Sequence, residues 1–120
     1  MLYQYRKDYE KIAMGLFSLV NDLSNMDLVT QEMQWYNNRS NRMIYLWKDK
    51  SNNWAGLIGV EVRESLLLIH QIVLTPQSVN QKDYDEMLNE LHDLYPNSRV
   101  VSSLDKRNII FKWEQTIDRN

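Results

Sequence analysis

Apolar and polar positions repeat at two different periods along the chain, and the changes of period mark its elements. Leu2 to Arg6 alternates as a short strand. Asp8 is placed to cap a following helix, since its side-chain oxygen can accept a bond from a free first-turn N–H. Ile12, Ala13, Leu16, Leu19 and Val20 then recur every three or four residues and make one apolar face. Ser24-Asn25-Met26-Asp27 has capping-box spacing and predicts a second helix opening at Ser24, with Met26, Val29, Met33 and Tyr36 facing inward. The polar cluster from Asn37 to Asn41 ends it.

Beyond that cluster the period becomes strand-like. Met43 to Trp47 is rich in β-formers, Asp49 to Asn53 is a turn cluster, and Trp54 to Val62 returns as the second arm of a hairpin. Arg63-Glu64-Ser65 turns the chain again. Leu66 to Leu74 is nearly continuous in apolar residues, as expected of a strand buried on both faces, and Pro76 ends it. A third helix runs from Gln81 to Leu94 with Tyr84, Met87, Leu88 and Leu91 on one face, and Pro96-Asn97 stops it. Arg99 to Ser103 reads as a short strand. Lys106 to Trp113 admits two readings: Ile109-Ile110-Phe111 suits a strand, whereas a cap at Asp105 suits a helix. The order β-α-α-β-β-β-α-β-(α) predicts one α/β domain over residues 1–120, an α+β sandwich whose mixed, mostly antiparallel sheet is flanked by helices.

Composition narrows the chemistry. The chain of 120 residues is 43% hydrophobic and 25% charged, a globular balance. Its formal net charge of -2 argues against general nucleic-acid binding, which needs surplus positive charge. Arg39, Arg42, Lys48, Lys50, Lys106 and Arg107 are dispersed and form no basic patch. The absence of cysteine excludes disulfides, thiolate metal sites and cysteine nucleophiles, and two distant histidines make a histidine metal site a poor expectation. Residues 1–8 lack a signal-peptide core, and the longest apolar run, Leu66 to Leu74, is far short of the roughly 20 residues of a membrane helix. A cytoplasmic protein is expected, with no membrane and no nucleic-acid partner.

The element order is similar to that of the GNAT acetyltransferases. Tyr5-Arg6-Lys7, Glu10-Lys11-Ile12-Ala13-Met14-Gly15-Leu16, Leu46-Trp47-Lys48 and Ile58-Gly59-Val60-Glu61 resemble the RibT-like branch of that family, the GNAT proteins of riboflavin operons. The resemblance implies acetyl-CoA as cofactor, held by backbone groups around Ile72, Val73 and Leu74 and by the start of the third helix at Gln81 and Lys82. It also implies that the Leu66–Leu74 strand splays from the Arg99–Ser103 strand. In the family the helix starts with an arginine or glutamine followed by Gly-x-Gly or Gly-x-Ala, because backbone N–H groups must approach the pyrophosphate closely. Aligned on Pro76, the arginine falls on Val79 and the glycines on Lys82 and Tyr84, and Gln81 alone survives. Asp83 and Asp85 add negative charge there, opposing the helix dipole's preference for an anion, although Lys82 can pair with a phosphate. Weakened or lost acetyl-CoA binding is the expectation. A tyrosine that protonates the departing thiolate in many relatives is matched by Phe111, which has no proton to give.

Glu61 is the candidate general base, since a strand glutamate often serves so in the family; the alternative is an outward, solvated Glu61 between buried Val60 and Val62. His70 is either an acid–base group facing the cleft or a hydrogen-bonded core residue, and His92 beside Asp93 is expected at the surface. Trp35, Trp47, Trp54 and Trp113 are expected mainly in the core, with an acceptor groove or subunit interface as their other use, and the six methionines as core filler. Two functions follow. One is a divergent acyl-CoA N-acyltransferase acting on a small-molecule or protein amine. The other is an inactive GNAT-like module working through self-association or a protein partner. A homodimer is expected from the apolar Ile109-Ile110-Phe111-Lys112-Trp113 segment and from a sequence that stops at Asn120, before the hairpin that usually completes a GNAT sheet.

Overall fold

Five strands, β1 (Leu2–Gln4), β2 (Arg42–Lys48), β3 (Trp54–Arg63), β4 (Leu66–Leu74) and β5 (Arg99–Ser102), lie side by side in that order in the computed structural model, which describes residues 1–20, 23 and 25–117. The helices are α1 (Glu10–Phe17), α2 (Met26–Asn37), α3 (Gln81–Leu94) and α4 (Arg107–Ile117). β1 to β4 pair antiparallel, β1 reaching β2 through α1 and α2 and β2 to β4 through short turns, and the α3 crossover returns the chain so that β5 runs parallel to β4. The expected α+β sandwich is the observed fold.

The sheet is covered on both sides. Tyr45, Trp47, Ile58, Val60, Leu67, Ile69, Ile72 and Leu74 pack against Met87, Leu88 and Leu91 of α3 and Ile110 and Trp113 of α4. On the other face Ile44, Leu46 and Leu57 pack against Ala13, Leu16 and Phe17 of α1 and Val29, Met33 and Tyr36 of α2. β3, in the middle, is buried without a break from Ala55 to Glu61, because neither of its faces meets water.

Several boundaries differ from the sequence reading. β1 stops at Gln4, although Tyr5 still donates its N–H to the Ile44 carbonyl at 2.8 Å. Asp8 does not cap α1. It sits in a 3-10 turn, Lys7–Tyr9, and its carboxylate takes the Arg6 guanidinium at 3.2 Å instead. α1 ends at Phe17, so Leu19 lies beyond it and is exposed. The opening expected at Ser24 lies outside the described residues; α2 is capped by Asn25, whose side chain accepts the Asp27 N–H at 2.7 Å. Met26, in the first turn, points to solvent rather than inward.

The ambiguous segment is a helix. Ile110 and Trp113 are buried, with Ile109 and Ile117 half-buried at helical spacing, and that stripe completes the core under α3. Asp105 sits in the preceding 3-10 turn and does not cap α4; its carboxylate accepts bonds from the Ser103 hydroxyl and the Lys106 ammonium. β4 and β5 pair only from Leu66 opposite Arg99 to Ile69 opposite Ser102. Beyond Ile69 the strands part, and β4 from His70 to Leu74 has no strand partner on that side among the described residues. Its partner register on the other side jumps from Gly59–Gln71 to Val60–Ile69, which makes His70 the extra residue of a β-bulge.

Candidate functional site

Glu61 stands at the centre of this irregularity. The solvated alternative is overturned: the residue is only 4% exposed, Val60 is buried beside it, and Val62 is half-buried. The reason is that β3 is central and α2 covers the face toward which Glu61 points. A carboxylate there needs donors, and the sheet provides them. Arg42 stands opposite Glu61 on β2, with Nε 4.0 Å from Oε2, and Arg63, two residues on, donates Nε–H to Oε2 at 3.2 Å. His70 Nε2 lies 2.9 Å from Oε1. The His70 hydrogen bond, reinforced by Arg63, outweighs burial and holds the carboxyl below the ordinary glutamate range.

An ionised Glu61 assigns the imidazole hydrogen to Nε2, which leaves Nδ1 as the nitrogen with a lone pair. Trp35 fixes the ring from the side. Its indole meets His70 edge-on at 4.8 Å, carries the Arg42 guanidinium on its face at 3.7 Å, and its carbonyl accepts from Arg42 Nη1 at 2.9 Å. The four side chains form one unit, with Glu61 buried and His70 at its open end, 37% of its side chain reaching solvent.

That open end faces a cavity of about 430 Å³ between α2 and β4, lined by Leu23, Leu28, Gln31, Glu32, Trp35, His70 and Gln71. The bulge turns His70 and Gln71 to the same side, so both reach it. A larger depression of about 690 Å³ at the α2–β2 connection touches Trp35 and Arg42 but neither Glu61 nor His70.

On the other side of the bulge lies the free edge of β4. Thr75 donates its N–H to Ala55 O at 2.8 Å. Alternation along the ladder therefore turns the backbone groups of Val73 toward β3 and those of Ile72 and Leu74 toward the uncovered edge. The side chains of Ile72, Val73 and Leu74 are buried, so only main-chain groups are on offer there. This edge suits an extended ligand with amide groups, such as the pantetheine arm of acetyl-CoA.

The start of α3 suits the pyrophosphate poorly. Asn80 already satisfies the Asp83 N–H at 2.8 Å, and its Nδ2 donates to Asp83 Oδ2 at 2.9 Å. Gln81 is occupied as well, its Nε2 donating to Asp85 Oδ1 at 2.9 Å and to the Ile109 carbonyl at 3.2 Å. Tyr84 packs against the core, so it has a structural task where the family pattern has glycine. Lys82 is exposed beside the cleft lined by Ser78, Asn80 and Glu86.

The remaining candidates have other tasks. Phe111 lies on the outer face of α4. His92, expected at the surface, is half-buried against Trp113 with ring centroids 5.8 Å apart. Trp113 donates to Asn89 at 2.9 Å, Trp47 to Glu90 at 3.2 Å, and Trp54 packs on Tyr3 and Tyr9, so Trp35 alone of the four belongs to the site. Among the described residues no group of three His, Asp or Glu can hold a metal, and no helix is long and apolar enough to cross a membrane. Sequence reasoning gave Trp35 an acceptor groove only as its second use, and it missed Arg42, Arg63 and Glu32. The pairing of Arg42 with Glu61 follows from counting back through the hairpin, which is the signal that would have found it.

No protein-family model matches the sequence. The chain is 34% identical over 115 residues, 95% of each chain, to the uncharacterized N-acetyltransferase in the lysA 3' region of Bacillus methanolicus. A protein described as a probable acetyltransferase superposes with a TM-score of 0.71 at 16% identity, covering 98% of this chain and 87% of the other. The spermidine N-acetyltransferase of Vibrio cholerae, solved with CoA and spermine, gives 0.68 at 12% identity over 96% of this chain and 78% of its own. The structural likenesses are likenesses of fold.

Proposed function

Because the chain belongs to the GNAT N-acetyltransferase family, we propose that it is an acyl-CoA-dependent N-acetyltransferase in which Glu61 and His70 act together on the amine. The observation that carries this reading is the buried Glu61–His70 pair, set on the bulge where β4 loses its partner and opening onto the α2–β4 cavity. Acetyl-CoA supplies the acetyl thioester. The amine nitrogen bonds to the acetyl carbon as the C–S bond breaks. His70 Nδ1 takes the proton the amine loses, Glu61 fixes the tautomer and stabilises the imidazolium that results, and solvent or that imidazolium returns a proton to the CoA thiolate. The hydrogen bond from His70, reinforced by Arg63, keeps Glu61 ionised for that purpose. The main-chain groups of Ile72 and Leu74 orient the donor along β4, and Leu23, Leu28 and Trp35 keep water from the amine.

Three finer points belong to the same reading. Acetyl-CoA binding is weak, which the capped α3 start, the occupied Gln81 and the side chains of Lys82 and Tyr84 support. The protein is RibT-like, since Ile58-Gly59-Val60-Glu61 both carries that resemblance and supplies the buried carboxylate. It works in the cytoplasm as a homodimer, a reading supported by the exposed Phe111 on the outer side of α4 and the exposed Leu104 in the turn before it.

Titration calorimetry with acetyl-CoA tests the reading. A dissociation constant between about 10 μM and 1 mM, roughly -7 to -4 kcal/mol, is expected. A flat trace throughout that range sinks it and leaves the inactive module.

A further inference from the structure

α2 carries two stripes. Val29, Met33 and Tyr36 pack into the core, while Leu28, Gln31, Glu32 and Trp35, at spacings of three, four and seven, line the cavity beside His70. The second stripe touches the sheet through Trp35, which meets His70 and Arg42, and its composition specifies a ligand. Leu28, Leu23 and the Trp35 indole make an apolar wall. Glu32, half-buried, has no ion-pair partner among the described residues, and no lysine or arginine lines the cavity. The other acid nearby, Glu61, is already paired with Arg42, Arg63 and His70 and offers no charge to a second cation.

We infer that this cavity takes a primary monoamine with an apolar or aromatic body and no carboxylate. The ammonium pairs with Glu32, and the body lies along Leu23, Leu28 and Trp35. The inference rests on the acetyltransferase reading for what becomes of the amine, but the recognition is a matter of binding. One free carboxylate matches one ammonium. The two further cationic centres of a polyamine meet leucine and indole and lose hydration without a partner. An amino acid brings its carboxylate against Glu32. A volume of about 430 Å³ lies at the small end of ligand sites and holds a phenethylamine-sized molecule.

Calorimetric titrations of the full chain with phenethylamine, spermidine and phenylalanine, run beside acetyl-CoA, test this. Phenethylamine is expected to bind at least tenfold more tightly than either other amine. Glu32→Gln should weaken phenethylamine about tenfold, the loss of one charge-assisted bond, and leave acetyl-CoA unchanged. Leu28→Asn, on the exposed part of the wall, should weaken phenethylamine several-fold with a smaller effect on spermidine. If spermidine or phenylalanine binds as tightly as phenethylamine, or if none of the three binds, the inference is overturned whatever acetyl-CoA does. If phenethylamine binds as described but acetyl-CoA gives no heat, the amine site stands and the acetyltransferase reading falls.

Discussion

Glu61 occupies a position where a charge is costly unless its oxygens are engaged; His70 and Arg63 hydrogen-bond them, and Arg42 adds a positive charge 4.0 Å away. Glu61→Gln should therefore lower stability by about 2 kcal/mol at neutral pH, less than for a fully buried pair, because Arg63 and His70 reach solvent. The effect has a pH signature. The carboxyl titrates lower in the folded protein than in the unfolded chain, near 4.3 there, so its contribution is complete above that value and vanishes as pH falls through the folded value. The stability gap between wild type and Glu61→Gln should narrow steadily as pH falls below about 4.3 in urea titrations; a gap that stays constant there contradicts the pairing. His70→Gln keeps a hydrogen bond to Glu61 but removes the basic nitrogen. It should lower kcat/KM for acetyl transfer about a hundredfold and leave acetyl-CoA affinity alone. A loss below threefold would take the imidazole out of the chemistry. Gly59 is a third sensitive position for a steric reason. A Cβ there would collide with the Tyr36 hydroxyl, so Gly59→Ala should cost about 3 kcal/mol in denaturant unfolding.

At the scale of elements, β4 and α3 were legible to the residue, because a continuous apolar run ended by proline and a 3.6-period stripe stopped by Pro96-Asn97 leave little choice of boundary. The buried Glu61 was not. Strand alternation assumes one wet face, and only the knowledge that α2 covers the other face of β3 removes that assumption. His70 was undecidable for a related reason. Nothing in Ile69-His70-Gln71 marks a bulge, which exists only in the pairing of two strands. The outer stripe of α2 was present in the sequence but hidden by the stronger inner one. The departure of the α3 start from the family pattern was legible, and its consequence can be measured. Lys82→Gly with Tyr84→Gly and Val79→Arg clears side chains from the first turn and adds a phosphate partner, so acetyl-CoA affinity should rise on the order of a hundredfold. Tyr84 packs against the core, so the variant should also melt earlier. Unchanged affinity in a folded triple variant would show that the glycines are not what the site lacks.

At the scale of the whole molecule, the sheet has two edges of different kinds. β1 is three residues long, and the Leu2 N–H on it is taken by Glu90 of α3 at 2.9 Å. β5, the other edge, is four residues long, and the chain leaves it for α4. Beside it, Leu104, in the 3-10 turn before α4, is 82% exposed, and Phe111, on α4 but off its buried Ile110–Trp113 stripe, is 55% exposed. Two large exposed apolar side chains, one on α4 and one in the turn that leads into it, make beside a short sheet edge a surface that a second copy of the chain can cover, and isologous pairing would bring the two α4 helices together. Phe111 is the sharper probe, because the core stripe of α4 does not use it. Light scattering coupled to gel filtration should give a dimer at about 100 μM, and Phe111→Ser should shift it to monomer without lowering the melting temperature of the monomeric form, since a helix-surface serine costs only about 0.5 kcal/mol. A wild-type monomer at that concentration would refute the dimer. A variant that stays dimeric would move the interface away from α4 and leave Phe111 solvated in both forms.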